Sequence, residues 1–483
     1  MSIDNTTAAQ NFSDRHVVIV GAGITGLAAA HQLLQQPHPP RITIVDAADR
    51  IGGIIQASPF AGLDLVDESA DAFLTRTDSA MKLCAAVGLD HHLTSPAANH
   101  AYIWHKKMHA IPAGTMLGVP GSHKAIWNTQ LLTKSGKLRA SVEPFLPRAI
   151  GRSTDSLGNA IRSRCGNEVL ERLVDPLVGS IYATDTDNFS VQGMPQVAEL
   201  LAQPTSLMRA ARNSMQKRTS GGPVFATPIT SMSALTRAVC DRIVEDGARV
   251  ILSSPVRSIE PQGRSYVVHL ETESLSADAV ILASPARHTA TLVEQLSSET
   301  SAQLQQFEHA SVIMIALTVS RSQWPQHLTG SGYLVPKPAQ TGVTAVSFGS
   351  NKWAHWKTAQ DEMVLRVSLG RDGAPMHHLD DKALLEVALR DLRLHLGFEA
   401  APTNMRFTRW IESFPQYRPG HAHRVEALDK QLHASAPGVV LAGASYRGIG
   451  IPACINDGQR AASRALSEPV SYTHLTLPTK RIV

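Results

Sequence analysis

The segment Gly21-Ala22-Gly23-Ile24-Thr25-Gly26 has the glycine spacing of a pyrophosphate cradle. It follows a β-branched run, 16–20 (HVVIV), and opens a stretch of helical periodicity that Pro37, Pro39 and Pro40 end. A second β-branched run, 41–45 (RITIV), leads into Asp46, twenty residues after Gly26. In such a strand–helix–strand unit Gly21 permits the tight turn, Gly23 lets the backbone approach a diphosphate, and Gly26 lets helix pack on strand. Ala22 and Thr25 complete the loop, the helix N-terminus favours phosphate charge, and Asp46 offers acceptors to a ribose diol. The chemistry is dinucleotide binding, with NAD and FAD both open at this point. A second glycine cluster, Gly443, Gly448 and Gly450 with Ile449 and Ile451, follows the apolar run 438–442 and precedes a helical stretch, 453–466. There too the backbone can approach a cofactor closely.

The elements that position these loops belong to a chain of 483 residues and 52.0 kDa, two or three domains at roughly 100–200 residues each. Hydrophobic residues at 43% and charged residues at 18% exclude a disordered, collagen-like or coiled-coil chain. The charge of +4 is scattered rather than striped, which argues against nucleic acid as a partner. Four cysteines, at 84, 165, 240 and 454, show no zinc spacing; no metal site is expected, and the thiols suit a reducing compartment. The N-terminus lacks a secretory pattern. The longest apolar run, 312–319, falls far short of the ~20 residues that span a bilayer. The expectation is a cytoplasmic protein without a transmembrane segment, with peripheral contact at the inner membrane face as its closest approach to lipid.

Between the loops, patterning predicts a hairpin over 60–70, a helix over 73–89 and a hairpin over 102–111. The stretch 112–147 is rich in Gly and Pro, with Lys124, Lys134, Lys137 and Arg139 as basic points. It reads as a loop–helix layer over a substrate cavity or as a membrane-touching surface. A helix is predicted over 157–173, and 175–185 reads as a turn with a short strand or helix. A further helix is predicted over 232–246, then short strands at 248–252, 256–259, 266–270 and 279–283 that rebuild a nucleotide-binding domain. Strands at 312–319, 344–350, 362–368 and 405–410, with a helix over 383–396, make a second domain.

Several segments carry a family resemblance. Asp46-Ala47-Ala48-Asp49-Arg50-Ile51-Gly52-Gly53 resembles the extension after the second strand in flavoproteins of the amine-oxidase type, where the arginine and glycine pair approach the FAD phosphates and flavin. Together with ADAFLTR, DPLVGSIYATD, RWIESFPQYRPGH and LAGASYRGIGIPACINDGQRAA, it makes the chain similar to the FAD-dependent porphyrinogen oxidases of haem biosynthesis, in particular the soluble bacterial type. The resemblance runs from residue 17 to about 466. Departures are Asp46 where Glu is usual, Ser180 and Thr184 where GIYAGD has glycines, and Met194-Pro195 in place of Phe-Pro.

The resemblance implies an α/β fold with a discontinuous Rossmann-like FAD-binding domain of the amine-oxidase/glutathione-reductase type (14–90, 221–290 and 411–468). A mainly helical, substrate- or membrane-facing insertion (91–220) and a mixed-sheet substrate domain (291–410) complete it. It implies noncovalent FAD, with Val256 supplying a backbone contact to adenine. The implied reaction is six-electron oxidation of coproporphyrinogen III to coproporphyrin III, with O2 as acceptor and H2O2 released; protoporphyrinogen IX is the alternative substrate, and ferrochelatase the candidate partner. The chemistry is centred on the flavin, so no catalytic triad is expected. Substrate propionates call for guanidinium or ammonium groups, for which Arg76, Lys107, Arg162 and Arg172 are candidates. Tyr182 is a candidate cavity residue, and Arg418 and His421 candidates for the flavin–substrate boundary. Other readings are a flavin amine oxidase or carotenoid desaturase, and a flavin-free escort protein, against which the intact Gly21–Gly26 loop argues. The stretch VSYTHLTLPTKRIV, 470–483, resembles a translated sequencing adaptor, so 469–483 is expected to be non-native.

Overall fold

The computed structural model describes residues 12–98, 100–217 and 222–467; the expected non-native tail lies outside them. His16–Val20 is the central strand of a five-stranded parallel sheet whose order is Arg249–Ile251, Arg41–Val45, His16–Val20, Ala279–Leu282, Val439–Leu441. Both faces are covered, as the unbroken Val/Ile runs require. Val17 and Ile19 pack with the helices Ile24–Leu34, Ser233–Glu245 and Ile451–Ser467. Val18 and Val20 pack against the antiparallel strands Ser258–Gln262, Ser265–His269 and Ser274–Ala277 and the helix His421–Ser435. The first and last helices meet backbone to backbone: a Cβ on Gly458 would lie 2.2 Å from the Thr25 carbonyl oxygen.

A seven-stranded mixed sheet runs Met405–Pro415, His309–Ser320, Glu362–Leu369, Val343–Phe348, Gly332–Leu334, Tyr102–His105, Lys107–Ala110. All its pairings are antiparallel except Gly332–Leu334 with Tyr102–His105. The helix Asp381–Leu396 buries Leu384, Ala388 and Leu392 against it. The hairpin 102–110, expected within the helical insertion, thus supplies two strands of this sheet.

Two predicted helices differ. In 73–89, Phe73–Leu74 is a strand paired with Phe225–Ala226, and the helix begins only at Asp78. In 157–173, the helix Leu157–Cys165 stops at Gly166, whose φ of 91° the α-helix cannot take; Arg139 caps it by donating to the Ser163 and Arg164 carbonyls. The chain restarts at Asn167–Val169, passes a π-helical turn and continues as the helix Asp175–Tyr182. Ser180 and Thr184, at the family's glycine positions, keep negative φ; the left-handed residue is Ala183, φ 49°. Among the described residues no helix is long and apolar enough to cross a membrane.

Candidate functional site

The Gly21–Gly26 loop leaves the central strand and is fastened on both sides. Gly21 donates to the Val45 carbonyl (2.8 Å). Ala22 N–H donates to Asp46 Oδ2 (2.7 Å), and Ala48 N–H to Asp46 Oδ1 (2.8 Å). Each carboxylate oxygen keeps a lone pair, so Asp46 can still accept from ribose hydroxyls. Ser254 and Ser253 donate to the Asp46 and Ala48 carbonyls (2.9 and 2.7 Å), which sets the loop carrying Val256 on the same rim. A Cβ on Gly26 would meet the Gly21 carbonyl oxygen at 1.9 Å, so only glycine lets the helix start there.

Gly52 donates to the Ala22 carbonyl (2.9 Å) and bridges to Gly23. Gly53, at φ 59°, would place a Cβ 3.3 Å from Gly23 Cα. Arg50, exposed, donates to the Gly53 carbonyl (2.8 Å). The C-terminal loop arrives through Ala442, which donates to Leu282 (3.0 Å), so Gly443 adjoins Ala283 and Thr25. Space above the glycines is open: an added Cβ finds nothing nearer than 4.0 Å at Gly23, 3.8 Å at Gly443 and 3.9 Å at Gly450. Side-chain-free backbone from three distant segments therefore borders one cradle at the N-terminus of the helix Ile24–Leu34, as a dinucleotide diphosphate requires. Gly448, Ile449 and Ile451 lie on the same C-terminal loop and helix start.

Asp457 and Tyr417, which are not among the candidate residues read from the sequence, support this loop from below together with His421, a candidate for the flavin–substrate boundary. Asp457, 3% exposed, accepts from Gly443 N–H (2.8 Å), Arg460 Nε (2.7 Å) and Arg447 Nη1 (3.3 Å). Tyr417 and His421, both buried, bond to the backbone of the loop, at Ala444, Gly448 and Tyr446. The Cys454 thiol points to the Gly448 carbonyl (3.4 Å), and burial pushes it up to about 12. The signal in the sequence is the segment FPQYRPGH, which carries both Tyr417 and His421.

The substrate candidates divide. Arg162 is bonded to Asp187 (2.7 and 2.8 Å), Asn159 and Asn167. Arg172 is bonded to Glu168 (3.3 Å) and the Leu131 carbonyl (2.9 Å). These bonds stay within the helical region and reach neither glycine loop. Arg76 is exposed beside Thr75, which is tied to Val224 (3.1 Å). Lys107 is exposed on an edge strand. Tyr182 is buried, its ring 4.8 Å from Phe189 and 6.2 Å from Tyr417, and burial lifts its phenol to about 12. Arg418 pairs with Asp372 (2.6 Å) and Glu308, both of which hold its guanidinium in the charged form.

The segment Asp67–Asp71 runs beside the Gly52–Gly53 turn: Glu68 N–H donates to Gln56 (2.8 Å), and Ser69 Oγ to Ile54 (2.5 Å). The seven-stranded sheet grips it. Arg406 donates to Ser58 and Val66 carbonyls (3.0 and 2.9 Å), Trp410 Nε1 to the Glu68 carbonyl (3.0 Å), and Thr408 to Glu68 (2.9 Å). Burial alone would raise the Asp71 carboxyl; Lys352 (2.8 Å), Arg366 (3.2 Å) and Trp353 Nε1 (3.0 Å) instead hold it well below the usual range. Asp67 differs, because burial outweighs Arg366 and lifts its carboxyl to about 7.

The model of the family described as flavin containing amine oxidoreductase matches residues 24–466. The chain belongs to that family. Membership makes this protein a flavin-dependent oxidoreductase, and FAD is the cofactor the cradle fits. Among similar proteins, the coproporphyrinogen III oxidase of Bacillus subtilis is 31% identical, covering 94% of this chain and 98% of its own. That of Mycobacterium tuberculosis H37Rv is 32% identical over 94% and 97%. The Bos taurus protoporphyrinogen oxidase is 27% identical over 95% and 100%. A crystal structure from Exiguobacterium sp. 255-15, assigned to protoporphyrinogen oxidation, superposes with a TM-score of 0.83 at 27% identity over 95% and 100% of the chains.

Proposed function

We propose that this flavoprotein oxidises coproporphyrinogen III to coproporphyrin III in haem biosynthesis. The observation that carries the reading is the near end-to-end similarity to coproporphyrinogen III oxidases, which covers 94% of this chain and 97–98% of theirs. Bound FAD supplies a two-electron acceptor that O2 regenerates. Three rounds remove six hydrogens from the macrocycle, balanced by three O2 reduced to three H2O2. The chain's own task is to bind and to orient. Gly21–Gly26 and Asp46 are proposed to hold the dinucleotide, Arg50, Gly52 and Gly53 to face its diphosphate and flavin, Val256 to meet adenine, and Gly443–Ile451 to complete the flavin side. Arg76 is the proposed propionate contact. Peripheral membrane contact is supported by Trp127, Leu138, Val142 and Phe145 (81% exposed), which stand out beside Lys134 and Lys137.

The test supplies coproporphyrinogen III and protoporphyrinogen IX separately, in air, and follows porphyrin emission and peroxide. Faster turnover of the first, with three peroxides per porphyrin, is the expected result. Preference for the second reassigns the substrate, and no porphyrin from either by flavin-loaded protein overturns the reading.

A further inference from the structure

Between the strand Val439–Leu441 and the helix Ile451–Ser467 the cofactor loop has no strand partner among the described residues, so its shape depends on what holds its backbone. One phenol holds it at two points. Tyr417, 1% exposed, donates its hydroxyl to the Ala444 carbonyl, and the same oxygen accepts from Gly448 N–H (2.9 Å). The turn Ala444–Arg447 is thereby closed at both ends by a single atom. Gly448 sits at φ 129°, a conformation the bond to its N–H helps to keep. Burial raises the phenol well above its ordinary value, so it remains a donor throughout the working pH range.

The ring is itself fixed. His421 stacks on it with centroids 4.4 Å apart and planes 26° from parallel, and Phe189 stacks at 5.9 Å. His421 Nε2 donates to the Tyr446 carbonyl (3.0 Å), a third anchor on the same turn. Burial lowers the imidazole to about 4, so it is neutral at pH 7 and carries one ring proton.

We propose that Tyr417 is a positioning residue for FAD: its hydroxyl sets the Gly443–Gly450 backbone in binding geometry before the cofactor arrives. This rests on the reading of that loop as flavin-facing. A preformed loop spares FAD the ordering cost. Tyr417→Phe keeps the ring but takes the hydroxyl from a half-buried carbonyl and a half-buried N–H, and the loop must find other partners for them.

The experiment measures the FAD dissociation constant of the apoprotein by flavin fluorescence, alongside its Tm, for wild type, Y417F and Y333F. Tyr333 is equally buried, in the other domain, with its hydroxyl on His395 Nδ1 (3.0 Å). Y333F therefore reports the general cost of losing a buried phenol. Y417F is expected to weaken FAD about tenfold, and Y333F to leave affinity within about twofold while lowering Tm. If Y417F yields no folded protein, H421F keeps the stacked ring, removes the donor to Tyr446 and should weaken FAD in the same direction. Unchanged FAD affinity in Y417F, or equal weakening in Y333F, overturns the clamp. Wild-type protein that takes up no FAD overturns the reading of the site and the clamp with it.

Discussion

Replacing Asp67 with asparagine removes a buried carboxyl whose proton is tied to folding. Asp67 is 1% exposed and accepts from Met232 N–H (2.9 Å). Burial raises its carboxyl from 3.8 to about 7, with Arg366 opposing and Asp71 reinforcing the rise. In the unfolded chain the group titrates at its ordinary value. Between pH 3.8 and about 7 the folded protein therefore holds a proton that the unfolded chain has released. Stability falls with rising pH across that window and is level above it. A rise of about three pH units at ~1.4 kcal/mol each gives ~4 kcal/mol as the upper size of the effect. D67N keeps an oxygen for Met232 and cannot ionise, so it lacks this fall. Melting temperatures of wild type and D67N, measured in parallel from pH 4.5 to 8.5 at fixed ionic strength, should diverge in favour of D67N as pH rises, levelling above pH 7. A difference that stays constant with pH, or runs the other way, refutes the assignment of the proton to Asp67.

Arg366, buried between Asp67 and Asp71, should be costly to remove: R366M leaves Lys352 as the one cation bonded to Asp71 among the described residues and should destabilise by about 3–5 kcal/mol, read as a lowered Tm. G53A introduces a side chain at φ 59° against Gly23 and should weaken FAD by tenfold or more, about 1.4 kcal/mol or above, in the same fluorescence titration. Native-state thiol titration should modify Cys240 ahead of the other three: it is half-buried, and burial raises its thiol too. Cys84, Cys165 and Cys454 are buried, with thiols pushed up to about 12, and should react only on unfolding.

What the sequence shows plainly is what short-range chemistry controls. The strand–loop–helix at 16–34, Asp46 and the second glycine loop are each encoded within a few residues of one another, and each lies where the pattern puts it. Long-range pairing is harder to see. Phe73–Leu74 reads as the start of a helix because its strand partner, Phe225–Ala226, is remote in sequence. The hairpin 102–110 is legible as a hairpin, but nothing local says that Gly332–Leu334 will pair with it. Nothing local says that Arg162, a candidate substrate contact, will pair with Asp187. The role of Tyr417 is invisible for a related reason, since its value lies in two backbone groups that reach it only once the last strand has joined the sheet.

The close seating of the last helix on the first bears on how the protein is made. The glycine loop leaves the ribosome early, yet the sheet that carries it is finished only by Val439–Leu441, and Gly458 meets Thr25 only when the final helix has been synthesised. The strands of the seven-stranded sheet all emerge before that, by Pro415. Domains generally fold as units during synthesis. Here the mixed sheet can gather while translation continues, and the opening segment must wait with an uncovered apolar face. The cradle is therefore complete only once Val439–Leu441 and the helix behind it are in place, long after its most recognisable motif has appeared.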